Sequence, residues 1–184
     1  MRTLIVNGSP RPNGNTATLV DSIVKAFPDA DRPDVVNIYP MSIAGCRNCG
    51  ACQRGAVDGY CTIKDDMSRL YDMYLDADLV IFASPIYMWQ FTACTNAFMS
   101  RLHCMFREGG AMNLEKGKRI AVAMTMGDDE FVAGSVMNGV LDFCEYFQLR
   151  YVGAIAVPFA GKDQIARPLY QERISDFVER IRAE

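Results

Sequence analysis

Short apolar runs and longer stretches of helical period take turns along this chain, and that alternation limits the folds open to it more than any other feature. Thr3–Asn7 is long enough for a buried strand. Asn15–Phe27 follows, with Leu19, Val20, Ile23, Val24 and Phe27 on one helical face. Asp34–Ile38, Leu79–Ala83, Arg119–Thr125 and Tyr151–Val157 read as four further strands. Asp65–Asp76, Thr92–Phe106, Ser135–Phe147 and Pro168–Arg182 read as helices. In the first of these, Met67, Leu70, Tyr71, Tyr74 and Leu75 are expected to point inward. In the third the inward set is Val136, Val140, Leu141, Phe143 and Phe147. In the last it is Tyr170, Ile174, Phe177, Val178 and Ile181, with Pro168 suited to the first helical turn.

Five strands alternating with five helices predict an α/β fold, a doubly wound parallel sheet covered on both faces. Right-handed crossovers leave few topologies, and five strands favour the order 2-1-3-4-5. Such a sheet binds its ligand beyond the strands' carboxyl ends, so the loops after strands one, three and four should carry a site. The 184 residues suit one domain, 1–184, with a cysteine-rich loop at 40–64. No apolar run approaches the ~20 residues of a membrane span. Only Arg2 precedes the first strand, so a cytoplasmic protein without a leader is expected. A net charge of −3 without blocks of like charge argues against nucleic acid.

The loop after the first strand, Gly8-Ser9-Pro10-Arg11-Pro12-Asn13-Gly14-Asn15-Thr16, ends at a helix N-terminus. Such a place attracts an anion through unpaired amides and the helix dipole. The dipole contributes only ~0.3–1 kcal/mol, so side chains must add to it. Ser9, Asn13, Asn15 and Thr16 are candidate donors, and Arg11 can make a charge-assisted contact. The loop matches neither G-x-G-x-x-G nor G-x-x-x-x-G-K-[ST], which disfavours a dinucleotide site and a P-loop. One terminal phosphate of a mononucleotide fits better. Read as an ordinary turn, the same loop would have Asn15 or Thr16 capping the helix.

After the third strand, Pro85-Ile86-Tyr87-Met88-Trp89 puts aromatic side chains at a strand's carboxyl end. Tyr87 and Trp89 can pack on a flat ring, with backbone amides from Pro85 to Trp89 at its polar edge. A core-closing loop or a dimer contact is the alternative. After the fourth strand, Gly127 permits close approach of a ligand. Asp128, Asp129 and Glu130 suit a solvated turn and would repel a second phosphate.

These residues resemble the NADPH-dependent FMN reductase family of flavodoxin-like proteins. The likeness rests on the Gly8–Thr16 loop, on Ala77-Asp78, on Ser84-Pro85-Ile86-Tyr87 and on Phe98-Met99-Ser100-Arg101. It implies FMN, with the phosphate at Ser9, Arg11, Asn13, Asn15 and Thr16 and the isoalloxazine against Pro85, Ile86, Tyr87, Met88 and Trp89. It also implies NAD(P)H as co-substrate and a homodimer or dimer of dimers with flavins near the seam. The activity expected is NAD(P)H-driven reduction of a quinone, flavin or other redox acceptor. The family often has Lys where this chain has Asn96, and Asp where it has Ser100.

Seven cysteines are many for this length, and Cys46, Cys49, Cys52 and Cys61 form a C-x2-C-x2-C-x8-C array. Four thiolates at this spacing suit a [4Fe–4S] cluster or zinc; free thiols and a redox disulfide are the alternatives. The array also resembles the iron–sulfur flavoproteins, whose last gap is usually shorter. That likeness implies a second function, electron transfer between redox partners without substrate turnover. Lys64-Asp65-Asp66-Met67 is shared with relatives lacking a cluster. Cys94, Cys104 and Cys144 lie in helical segments and read as small core residues. The lone His103 reads as a helix-end polar residue. Arg107–Gly117, with Gly109-Gly110, reads as a flap over the flavin. A cofactor-free binding module on the same fold is a third possibility.

Overall fold

The apolar run Thr3–Asn7 forms strand β1 with all five residues buried, as a strand covered on both faces requires. In this computed structural model residues 1–105 and 117–183 are described. The other strands are β2 (Asp34–Asn37), β3 (Leu79–Pro85), β4 (Arg119–Thr125) and β5 (Arg150–Val157). All pairings are parallel, in the order β2-β1-β3-β4-β5. The expected sheet and order are those observed. Strand β3 runs two residues further than expected, because Ser84 and Pro85 pair with Met124 and Thr125.

The helices are α1 (Asn15–Ala26), α2 (Met67–Asp76), α3 (Ala93–Arg101), α4 (Gly134–Tyr146), α5 (Lys162–Ile165) and α6 (Pro168–Ala183). Alternation along each strand sends neighbouring residues to opposite faces. On one face Leu4, Val6, Val80, Phe82, Ile120 and Val122 pack with α2, α3 and α4. On the other Ile5, Ile81, Ala83, Ala121 and Ala123 pack with α1 and α6. Burying one leucine-sized side chain contributes about 1.5–3 kcal/mol relative to leaving it exposed, so these layers dominate the fold's stability.

The inward residues expected for α6 are all buried. In α4 one expectation fails: Leu141 is exposed and Cys144 is buried in its stead. The buried positions there are Val136, Val140, Cys144 and Phe147, a stripe that Leu141 does not join. Thr92–Phe106 is not one helix. It is α3 followed by a 3-10 turn, Leu102–Met105, and Phe106 lies outside the described residues. The short α5 and the 3-10 turns at Asp29–Asp31 and Glu130–Ala133 carry no periodic signal that would mark them in the sequence. Among the described residues no helix is long and apolar enough to cross a membrane. The expected flap at Arg107–Gly117 lies outside the described residues except for Gly117.

Candidate functional site

The carboxyl ends of β1, β3 and β4 bring three loops together around one cleft. Its lining includes Arg11 and Asn15 from the first loop, Pro85 to Met88 from the second, and Met126 and Gly127 from the third. Its volume is about 530 Å³, within the usual range for a small-molecule site.

The first loop is held from below. Asn7, at the end of β1, accepts from Ser9 N at 3.0 Å and donates to Asn37 Oδ1 at 2.8 Å. Gly8 N donates to Ala83 O at 2.9 Å, and Thr92 Oγ1 donates to Gly8 O at 2.9 Å. A Cβ on Gly8 would collide with Thr95 Oγ1, so glycine is required there by space.

Three of the five expected phosphate donors already have partners inside the protein. Ser9 Oγ donates to Arg11 O at 3.2 Å and accepts from Arg11 N. Thr16 is buried, its hydroxyl 2.7 Å from Thr125 Oγ1. Asn15 Nδ2 donates to Ala160 O at 2.5 Å. Of the five, the side chains of Arg11 and Asn13 alone have no hydrogen-bonding partner among the described residues. The expected cap by Asn15 or Thr16 is not made. Gly14 occupies the N-cap position, and among the described residues no side chain bonds the first-turn amides. The first amides of a helix have no intrahelical acceptor, so here they face outward beside a guanidinium. That is the donor set a phosphate monoester needs.

The second loop is a tight turn. Tyr87 N donates to Gln90 O at 2.9 Å and Gln90 N to Tyr87 O at 3.1 Å. Met88 and Trp89 both take positive φ, 49° and 60°, as in a type I′ turn. That turn normally uses Asn-Gly, and side chains like these cost about 1–2 kcal/mol each in left-handed backbone. Ile86 N donates to Thr125 O at 2.8 Å. Of the amides expected at a ring's edge, Pro85 has none and Ile86 and Tyr87 are engaged. Those of Met88 and Trp89 have no partner among the described residues. Trp89 does not line this cleft; it lies between two neighbouring cavities. At Gly127 an added Cβ meets no protein atom within 4 Å, although the residue lines the cleft.

The cysteine-rich segment lies over α2 and α3, and a buried guanidinium organises it. Arg101, 1 % exposed, donates to Asp65 Oδ2 at 2.7 Å, to Ala44 O at 3.0 Å, to Ile63 O at 3.2 Å and to Tyr71 Oη at 3.1 Å. Asp65 also accepts from Ala44 N and Met67 N. Burial pushes the Asp65 carboxyl up, but the Arg101 guanidinium and these amides outweigh it and hold it below the usual range. Cys46 N donates to Ser100 Oγ at 3.2 Å, so the serine standing where the family often has Asp still supports this helix–loop contact. The sequence gives no sign of the ion pair, although both halves lie in stretches singled out as family-like.

Cys46 and Cys49 are exposed, while Cys52 and Cys61 are half-buried. The amide of Ala51 and the Thr62 hydroxyl lower the Cys49 thiol's pKa, and burial raises that of Cys52. Among the described residues no group of three or more His, Cys, Asp or Glu is gathered to hold a metal ion. The four sulfurs expected to hold a cluster are therefore not gathered around one point as folded. Cys104 and Cys144 are core residues, as expected, their thiols pushed up by burial to about 12 and about 11. Cys94 is not a core residue. It is half-buried, with Sγ 3.5 Å from Gly8 O under the first loop. The His103 ring lies 2.6 Å from Gln53 Nε2 on the 3-10 turn.

A family model described as NADPH-dependent FMN reductase matches residues 1–163. An iron–sulfur flavoprotein of Archaeoglobus fulgidus is 32% identical over 142 residues, covering 77% of this chain and 62% of its own length. The chain thus spans less than two thirds of that relative. Two solved structures share the fold. RosB, with bound 8-demethyl-8-formylriboflavin-5'-phosphate, has a TM-score of 0.77 at 17% identity, over 98% of this chain and 77% of its own. The NAD(P)H:quinone oxidoreductase of Methanothermobacter marburgensis has a TM-score of 0.76 at 14% identity, over 97% and 94%.

Proposed function

Since the chain belongs to the NADPH-dependent FMN reductase family, we propose that it binds FMN in the cleft between Arg11 and Gly127 and works as an NAD(P)H-dependent oxidoreductase. The observation that carries this reading is the uncapped first turn of α1 beside Arg11, opening on the same cleft as the 85–88 wall. When bound, FMN supplies a ring that accepts a hydride and passes electrons on singly or in pairs. The chain's own residues do the rest. Arg11, Asn13 and the first-turn amides grip the phosphate. Pro85 to Met88 flank the ring and keep water from one side of it. The free amides of Met88 and Trp89 are donors for the ring's polar edge, where negative charge grows on reduction. The net reaction with a quinone is NAD(P)H + H⁺ + quinone → NAD(P)⁺ + hydroquinone.

Gly127→Leu tests the reading. A Cβ there meets no protein atom within 4 Å and the residue lines the cleft, so the variant should fold with wild-type thermal stability in the absence of flavin and fail to retain FMN. Flavin fluorescence of the purified protein after FMN addition and gel filtration reads this directly. A Leu variant as yellow as wild type would place the flavin elsewhere.

A second reading, an electron carrier holding a [4Fe–4S] cluster at Cys46, Cys49, Cys52 and Cys61, draws on the cysteine spacing and on the name of the Archaeoglobus relative, and it requires this loop to rearrange, because the sulfurs are not gathered as folded. An anaerobic absorption spectrum separates the two: flavin bands alone, or flavin bands over a brown shoulder bleached by dithionite. We also propose a homodimer, supported by the exposed apolar side chains of Phe131, Leu141 and Tyr146 in and before α4.

A further inference from the structure

Next to the cleft lies a second cavity of about 320 Å³. Ile86, Met88, Met126 and Gly127 line both, so the two form one continuous trough. The walls that the second cavity does not share with the cleft are Trp89, Val132 and Asp128. The turn fixes Trp89 in place through its two backbone hydrogen bonds, which leaves a flat indole, 52 % exposed, at the trough's edge. Val132 sits in the 3-10 turn that follows β4, and its N donates to Asp129 O at 3.3 Å. Charge is distributed unevenly along the trough. Arg11 lines the cleft, whereas among the described residues no lysine or arginine lines the second cavity. There the charged group is Asp128, an exposed carboxylate whose Oδ1 accepts from Asp129 N at 2.8 Å. Its neighbour Glu130 is already paired with Arg173 at 3.0 Å.

We propose that this second cavity receives the electron acceptor and selects flat aromatic molecules that carry no anionic group, with Asp128 as the specificity-determining residue. The proposal rests on the FMN reading above, because an acceptor seated beside Gly127 and Met88 would lie against a ring held in the adjoining cleft. The Trp89 indole and the apolar side chains of Ile86, Met88, Met126 and Val132 favour a planar ring by stacking and burial. A carboxylate a few ångströms away repels a sulfonate, carboxylate or phosphate on that ring. Even in a watery setting two like charges at such range change binding by about fivefold. The acceptor takes up two electrons and two protons by the net reaction already given, so selection needs no further co-reactant.

The experiment uses FMN-loaded protein with NADPH and two acceptors, 1,4-naphthoquinone and its 2-sulfonate. The two quinones differ in redox potential, so the decisive quantity is how their kcat/KM ratio responds to Asp128→Asn. The expected result is that the preference for the uncharged quinone falls about fivefold in the variant. That preference should also shrink in wild type as salt is raised to ~0.5 M. Flavin absorbance measured on both proteins shows whether the cleft is loaded. If flavin is bound and Asp128→Asn leaves the ratio unchanged, the proposal is overturned while the FMN reading stands. Wild-type protein that takes up no FMN overturns both.

Discussion

The first loop and the cysteine-rich segment both look, in one dimension, like rows of groups awaiting a ligand; in three dimensions they are opposites. In residues 8–16 the hydroxyls and one amide are engaged in shaping the turn, while among the described residues the side chains of Arg11, which lines the cleft, and of Asn13 and the first-turn amides of α1 are left without a partner. In residues 42–66 many polar groups are paired within the fold. Arg101 and Asp65 bond each other and the surrounding backbone, Ser42 N donates to Asp66, and Tyr60 Oη donates to Asp72 at 2.8 Å. Donors left unmatched at a helix start mark a place for something from outside. Donors matched among themselves mark a scaffold. A long segment without regular structure usually has a function of its own, and here the protein builds it with a buried ion pair.

The contrast breaks most visibly at Asp65. Asp65→Leu strands the Arg101 guanidinium in the interior, and removing one partner of a buried pair costs about 3–5 kcal/mol. Thermal unfolding should register roughly 6–20 °C in Tm. Wild type should approach this weakness in acid. The folded Asp65 pKa lies below its unfolded value of 3.8, so its stabilisation is complete above about 3.8 and disappears as pH falls through the lower folded value. A Leu variant as stable as wild type would mean that the segment is held some other way. Arg11→Gln is the counterpart: stability without ligand should change by less than about 0.5 kcal/mol, but FMN affinity should drop about 10–100-fold through loss of a charge-assisted bond. Titration of the apoprotein with FMN, followed by fluorescence quenching, measures it. The smallest effect is expected at Met88→Gly. It relieves a left-handed residue and should raise the unfolding free energy by up to about 1 kcal/mol, readable in a urea titration. A loss of stability instead would show that the Met88 side chain contributes packing that outweighs its backbone cost.

Much of the fold was legible because each strand must fill two layers at once. A continuous apolar run as short as Leu79–Ala83 suits a strand covered on both faces and little else, and the strand count then selects the sheet order. Local endings were less legible. Nothing in the sequence distinguishes Asn15 as a cap from Asn15 as a strut to Ala160, because the acceptor lies 145 residues away. Leu141 obeys the helical pattern loosely and is exposed, since a stripe tolerates one apolar residue at its margin. The site was legible as three loops and blurred as residues. Counting donors in a loop does not show which ones the loop needs for itself, and Ser9 and Thr16 are cases in point. The role of Arg101 was hidden because a charged residue on a helix normally suggests solvent, and its carboxylate partner is 36 positions distant.

The last helix has a consequence of its own. Tyr170, Ile174, Phe177, Val178 and Ile181 of α6 share one apolar layer with Leu19, Val20 and Ile23 of α1, although α6 lies beyond the stretch that the family model matches. The rod whose tip carries the uncapped amides is thus braced along its flank by the chain's final turns. A change in the brace should therefore reach the tip, so on the FMN reading proposed above affinity responds to residues that never approach the cleft.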